Sequence, residues 1–435
     1  MYRTLPLVAL LIIACDGTQT INVGGGEEDS NAPAVQGDTG TDALPGDTSE
    51  DTDTGEEVED TAANAAWQDE FFVDTMIHDI DITLSDDAYH DIRRDGHTYV
   101  MGDVTVDGET ITGIGLRLRG KIGSYREISG KPKFKIDMSQ FVAGQKFHGL
   151  HSMALNNEVV DCSYLREPLA YKVFREAGIA ASRTSFARVR VNDEVYGLYV
   201  IIEVPDSQLL EDRFPGDDEG NLYDGKYIYN WDFGSYTLLD FDSGVDDMFG
   251  LEEGTDVGHA DIAAISDAID GAPRGGGFVE VMDPLVDWNQ WHTSWAVEQW
   301  VGHLDGYQMN KNNYRVYFRP SDGKMIYLPT DFDYGFLSDG GWGVGWTGPL
   351  GTLASRCFLD ASCREAQVAA VDTMLAGVDP DALRTYFDAM AELTHDDASD
   401  DPRRECGTSS VWSTQDYMRS WISGRDAQVR ATWGL

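Results

Sequence analysis

The apolar positions change their spacing about halfway along the chain. From Met76 to Leu84 they alternate as in a strand, and Ser85 stands where a helix cap belongs, with that helix stopping before Gly96. Val104 and Val106 lead into a turn at Asp107-Gly108. The next strand runs to Leu118, with Leu116 and Leu118 on one face and Arg117 and Arg119 on the other. Lys133 to Asp137 alternates again, with Phe134 and Ile136 inward. Leu165, Leu169, Val173 and Ala177 share one face of a helix that Asp161 or Ser163 can cap and Gly178 stops. Phe186 to Val191 and Tyr196 to Glu203 read as a hairpin across Asn192-Asp193. Thereafter the period becomes helical. Trp288, Trp291 and Trp295 line a helix ending near Gly302, and 366–375, 380–393 and 414–430 follow the same rule, interrupted by a strand pair at 314–318 and 325–329. A sheet-rich half followed by a helical half predicts an α+β fold with two lobes, about 67–205 and 206–435.

The pattern is absent before Trp67. Residues 16–66 are rich in Asp, Glu, Thr, Gly and Ala, with no Lys or Arg between Arg3 and Arg93. Such a stretch buries too little apolar surface to offset its ordering entropy, and its like charges extend it. Upstream, Arg3 precedes a short apolar run, Leu7 to Ala14, that ends in Ile12-Ile13-Ala14-Cys15. The run is too short to span a bilayer and reads as a signal peptide. Its end resembles a bacterial lipobox, in which the Cys becomes acylated. The expectation is a signal peptide at 1–14, lipidation at Cys15, an acidic linker over 15–66 and one domain over 67–435. The product would be exported and tethered to the cell envelope by its lipid alone.

Composition narrows the partners. The chain has 435 residues, a formal net charge of -44 and 42% hydrophobic residues. So acidic a surface disfavours nucleic acid, whose phosphates need Lys and Arg, and suits a basic polypeptide better. Four cysteines follow Cys15. In an exported chain they are expected to pair, Cys357 with Cys363 and Cys162 with Cys406. Without a CxxC pair or a His cluster they do not read as a zinc site.

The densest chemistry lies around the strand pair. His303-Leu304-Asp305 and Asn310 precede it; Asp331 and Asp333 follow it. Phosphoryl transfer needs one Asp to orient the attacking hydroxyl, and an Asn with a second Asp to hold Mg²⁺ against phosphates. Carboxylate and amide oxygens are the hard ligands that Mg²⁺ takes. Turn formation is the bland reading of the same residues.

Several segments, in order, resemble the CotH family of atypical protein kinases from about Ile77 to Phe336. They are Leu116 to Gly120, Lys131-Pro132-Lys133-Phe134-Lys135-Ile136, Leu165-Arg166-Glu167 with Phe174 to Gly178, Val191-Asn192 through Tyr199 to Glu203, and Asn221-Leu222-Tyr223. Asp305-Gly306-Tyr307, Asn313-Tyr314 and Pro329 to Asp333 complete the series, with Thr330 where the family keeps Trp. The resemblance implies a kinase-like fold that uses ATP with Mg²⁺ or Mn²⁺ and phosphorylates protein at Ser or Thr. It implies Asp305 as catalytic base, Asp331 as metal ligand and Asp333 as a second metal candidate. Asn310 has the kinase spacing; Asn313 has the family context and is preferred. Lys131, Lys133 and Lys135 share a strand face, so spacing does not choose a phosphate-binding Lys, and Lys131 best matches the motif. Glu167 would pair with that Lys, Arg119 would contact phosphate, and Glu203 would lie near the nucleobase. The loop Gly120-Lys121-Ile122-Gly123-Ser124 would cover the phosphates. Two alternatives stay open: a non-catalytic adhesion or scaffold module on the same fold, and transfer of AMP.

Overall fold

The structure is a computed structural model that describes residues 54–435, except 122, 226–227, 231–234, 242–243 and 339–344. The expected signal peptide, Cys15 and the expected linker up to Asp53 lie outside the described residues. The first described element is helix α1, Thr54–Phe71. The folded chain therefore starts upstream of Trp67. Trp67 and Phe71 anchor the helix, stacked at 4.7 Å with Phe147 edge-on to Trp67 at 5.3 Å. The Ala-rich turn before them continues it, because alanine loses little on entering a helix.

The first half is β1 Ile77–Thr83, α2 Asp86–Arg94, β2 Val100–Val106, β3 Glu109–Arg119, β4 Lys133–Asp137, β5 Ser152–Asn156, α3 Arg166–Glu176, β6 Thr184–Val191 and β7 Glu194–Ile202. Seven strands close into a barrel in the order β1-β2-β3-β4-β5-β7-β6, with β1 and β6 parallel. Closure removes exposed edges. Leu116, Leu118, Phe134 and Ile136 face the barrel core as their alternation requires, each buried side chain worth about 1.5–3 kcal/mol. The strand β5 carries no alternation because all five of its residues are buried.

The second half contains α4 Ser207–Arg213, β8 Asn221–Gly225, the short pair β9 Ile228–Asn230 and β10 Ser235–Thr237, β11 Gly250–Glu253, α5 Ala260–Gly271, α6 Phe278–Met282, α7 Trp288–Val301, α8 Tyr307–Asn310, β12 Tyr314–Phe318 and β13 Met325–Pro329. Helices α9 Thr352–Leu359, α10 Ala361–Gly377, α11 Pro380–Leu393, α12 His395–Asp400 and α13 Thr408–Trp433 follow. Strands β11-β8-β12-β13 form an antiparallel sheet. A second core, rich in Trp from α7, packs that sheet, α3 and the helices together. The fold is α+β, sheet-rich first and helical second. Cysteines pair as 162–406 and 357–363. Among the described residues no helix is long and apolar enough to cross a membrane.

Candidate active site

A cleft of about 310 Å³ lies between the barrel and the β8–β12 sheet. Its roof comes from β3, β4 and the loop between them, its floor from β12 and the segments flanking the β12–β13 pair. Cross-strand pairing sets Arg119 opposite Lys133 and Arg117 opposite Lys135, so the basic face of both strands points inward.

Helix α7 delivers Asp305. Asp287 caps its start, accepting from Gln290 N at 3.2 Å, and Gly302 ends it with φ +61, a left-handed position that favours glycine. A side chain there would also strike Trp421. The turn that follows places the Asp305 carboxylate in the cleft. Three amides donate to it: Asn310 at 2.5 Å, Asn312 at 3.1 Å and Asn313 at 3.0 Å. Burial pushes its pKa up to about 6 against those hydrogen bonds.

Asp331 and Asp333 follow β13. Asp331 and Asn313 both hold positive φ, +54 and +50, which costs a residue with a Cβ about 1–2 kcal/mol and is the kind of strain that collects at functional sites. Several contacts impose the Asp331 conformation. His303 donates from Nε2 to the Asp331 carbonyl at 2.9 Å, and the Tyr171 hydroxyl accepts from Asp331 N at 3.3 Å. Burial lowers the His303 pKa to about 4, so the imidazole is neutral. Phe332 packs on Tyr171, Phe174 and His303.

Lys133 Nζ lies 3.2 Å from Asp333 and 3.8 Å from Asp331. Burial alone would lower its pKa, but the two carboxylates raise it, so it is charged. Asp331 feels burial in the opposite direction, yet Lys133 and a hydrogen bond with Asp333 hold its pKa down. Asp333, buried beside Asp331, is pushed up. Glu167 is fully buried on α3. Asn156 donates to it at 2.6 Å and Phe332 N at 3.4 Å. It adds to the field on Lys133 rather than forming a close pair. Neighbouring Glu158 is buried too, with no hydrogen-bond donor at either carboxyl oxygen among the described residues.

The structure thus brings together Asp305, Asn313, Asp331, Asp333, Arg119 and Lys133, with Glu167 just behind. Lys131 is not among them. It precedes β4, where the alternation does not reach, and its Nζ turns away to Asp401 at 2.5 Å and the Leu198 carbonyl at 2.7 Å. Lys133 and Lys135 both line the cleft, with Lys121 of the loop, and it is Lys133 that reaches the Asp331 and Asp333 carboxylates. Glu203 also stays out of the cleft: Arg183 and Arg213 hold its carboxylate at 2.5 and 2.8 Å, and its neighbour Val204 lines the wall instead. Asn310 does not line the cleft but braces Asp305 from outside it. Sequence reading missed Asn312, which lies in the same asparagine-rich run, and Arg315, Asp224 and Glu252, which no local motif marks.

The donor set suits a hard divalent cation. The Asp331 Oδ1 atom is buried with no hydrogen-bond donor among the described residues, only Lys133 at 3.8 Å, and Asp333 and Asn313 line the same cleft. The arrangement offers a base, a carboxylate pair for metal and cations for phosphate.

Among solved structures, the chain is similar to the Helicobacter pylori proinflammatory kinase CtkA, at 8% identity and a TM-score of 0.30 over 78% of this chain and 90% of that one. It is similar to the HipA, HipB and operator DNA complex of Shewanella oneidensis MR-1 at 12% identity and a TM-score of 0.31, over 72% and 68%. No curated protein matches. The family model described as CotH kinase protein matches residues 116–429, and the chain belongs to that family.

Proposed function

We propose that this protein is an ATP-dependent protein kinase of the cell envelope, which transfers the γ-phosphoryl group to a Ser or Thr hydroxyl of a surface or secreted protein. The observation that carries the reading is the meeting, in one cleft, of Lys133 from the roof with Asp305, Asn312, Asn313, Asp331 and Asp333 from the floor. Asp331, Asp333 and Asn313 are the residues to hold Mg²⁺, which when bound neutralises phosphate charge. Lys133 and Arg119 grip the phosphates. Asp305 accepts the hydroxyl proton as the new O–P bond forms and the bond to the leaving diphosphate breaks. Its raised pKa makes it a better base than an exposed carboxylate, while leaving it ionised at neutral pH.

Export with a lipid at Cys15 belongs to the same proposal. Two disulfides support it, because they persist in oxidising compartments. Mass measurement of the mature N-terminus tests it: a diacylglyceryl Cys15 is expected, and an intact Met1 would refute it.

The test of function is a melt of the protein with and without Mg²⁺-ATP, beside Asp331→Ala, followed by transfer of label from the γ or the α position of ATP. Ligand at 100 times its Kd adds about 2.7 kcal/mol, a shift of a few degrees for a domain this size. A shift lost in Asp331→Ala and γ-label on protein are expected. Label from the α position would make the enzyme an AMP transferase, and absence of any shift would leave an adhesion or scaffold module.

A further inference from the structure

Between α11 and α13 the chain leaves the helical half and lies across the barrel. Asp397 of α12 pairs with Arg188 of β6 through two bonds, at 2.5 and 2.9 Å. Asp401 is buried. Its Oδ2 accepts from Lys131 Nζ at 2.5 Å, Tyr164 OH at 3.0 Å and Leu198 N at 3.1 Å, and its Oδ1 accepts from Arg403 N at 2.8 Å. Gly197, at φ +105, makes room for that carboxylate, since a side chain there would overlap it. Arg403 lies 3.6 Å over the Tyr196 ring, pairs with Glu194 at 2.6 Å, and donates to the carbonyls of Ser129, at 3.1 Å, and Gly130. Glu405 grips Arg126 with both oxygens, and Cys406 is bonded to Cys162.

Apart from Arg188 on β6 and Glu194, Tyr196 and Leu198 on β7, the barrel ends of these contacts fall on one loop. Arg126, Ser129, Gly130 and Lys131 all belong to the loop between β3 and β4, whose other end, Gly120, Lys121 and Ser124, lines the cleft. Lys131 stands two residues before Lys133. Cys162 stands just ahead of α3, the helix that carries Glu167. The Lys131 and Asp401 side chains are 1% and 0% exposed. A buried ion pair adds little net stability over an apolar pair of the same shape; what it can supply is a unique register between the segments it joins.

We propose that residues 397–406 are a strap that holds the cleft's covering loop in its working position, with Lys131 and Asp401 as positioning residues that act through it. The inference rests on the phosphoryl-transfer reading for its kinetic consequence, but not for its structural one. The strap ties the loop from outside the cleft, so its release leaves Asp305, Asp331 and Lys133 in place and lets the loop wander. Apparent affinity then falls by the fraction of time the loop spends in place.

The test uses the full chain, the surface variant Glu405→Gln combined with Cys162→Ser and Cys406→Ser, and the apolar pair Lys131→Met with Asp401→Leu. Two measurements are made: hydrogen exchange of the 120–131 amides without ligand, and kcat and KM for Mg²⁺-ATP. Faster exchange in the loop is expected in both variants, with unchanged exchange in β6 and β7 in the Glu405 and cysteine variant, together with a KM raised about tenfold and kcat changed by less than about threefold. Loop exchange equal to that of the parent in the Glu405 and cysteine variant overturns the strap, even if the apolar pair fails to fold. Failure of the parent to bind Mg²⁺-ATP sinks the kinase reading alone, and the exchange result still decides the strap.

Discussion

Two buried lysines, two residues apart, sit in opposite kinds of polar surroundings. Around Lys131 the charges pair off: its ammonium meets Asp401 and a carbonyl, and Asp401 accepts four donors. Around Lys133 they do not. Among the described residues Asp331 Oδ1 lacks a donor, and four carboxyl groups crowd one ammonium. Leaving a buried polar group unpaired costs about 1–3 kcal/mol. A fold bears that where a ligand supplies the missing partner, so the satisfied cluster reads as architecture and the unsatisfied one as a site.

The contrast breaks most visibly in activity. Asp305→Asn should lower kcat/KM by about 10²–10⁴-fold, the usual worth of a positioned base, and Asp331→Ala at least as much, with near-native circular dichroism in both. Stability should separate the two lysines. Lys131→Met leaves the buried Asp401 carboxylate without its counter-charge, and denaturant unfolding should show a loss of about 3–5 kcal/mol. Lys133→Met should abolish transfer yet cost less, because the Asp331 side chain is 38% exposed to water and the buried Asp333, whose pKa is already raised, can take up a proton.

The pH response sharpens the same difference. Asp305 must be ionised to act, so kcat/KM should rise with pH through a midpoint near its pKa of about 6. Its effect on folding has the opposite sign. The folded pKa lies above the unfolded value, 3.8, so the unfolded chain releases this proton first and stability falls as pH rises from about 4 to 6. In urea melts the stability of Asp305→Asn relative to the parent should therefore rise by on the order of 2 kcal/mol between about pH 4 and pH 8, whatever the variant loses at the three asparagine amides. The smallest effect belongs to Glu203. Glu203→Gln weakens the Arg183 and Arg213 pairs and should cost about 1–3 kcal/mol, while KM for Mg²⁺-ATP stays within about twofold of the parent because its side chain is outside the cleft.

Much of this was legible in the chain itself. Alternation at Leu116 and Leu118 and at Phe134 and Ile136 determined β3, β4 and which face is basic, because a half-buried strand must alternate. The same logic failed for β5, buried on both faces, and for Lys131, which lies just before the strand begins. Asp161 and Ser163 do serve the start of α3, accepting from Arg166 N and Leu165 N, although Leu165 occupies the cap position itself. Asp305, Asp331 and Asp333 were legible as a set because one strand pair carries them to one end of a sheet. Local spacing and period are properties of the sequence. Which of three lysines meets Asp331, where the Glu203 carboxylate turns, and that a segment near residue 400 holds the loop near residue 130 depend on which distant groups come to share a buried volume, and only the tertiary structure decides that.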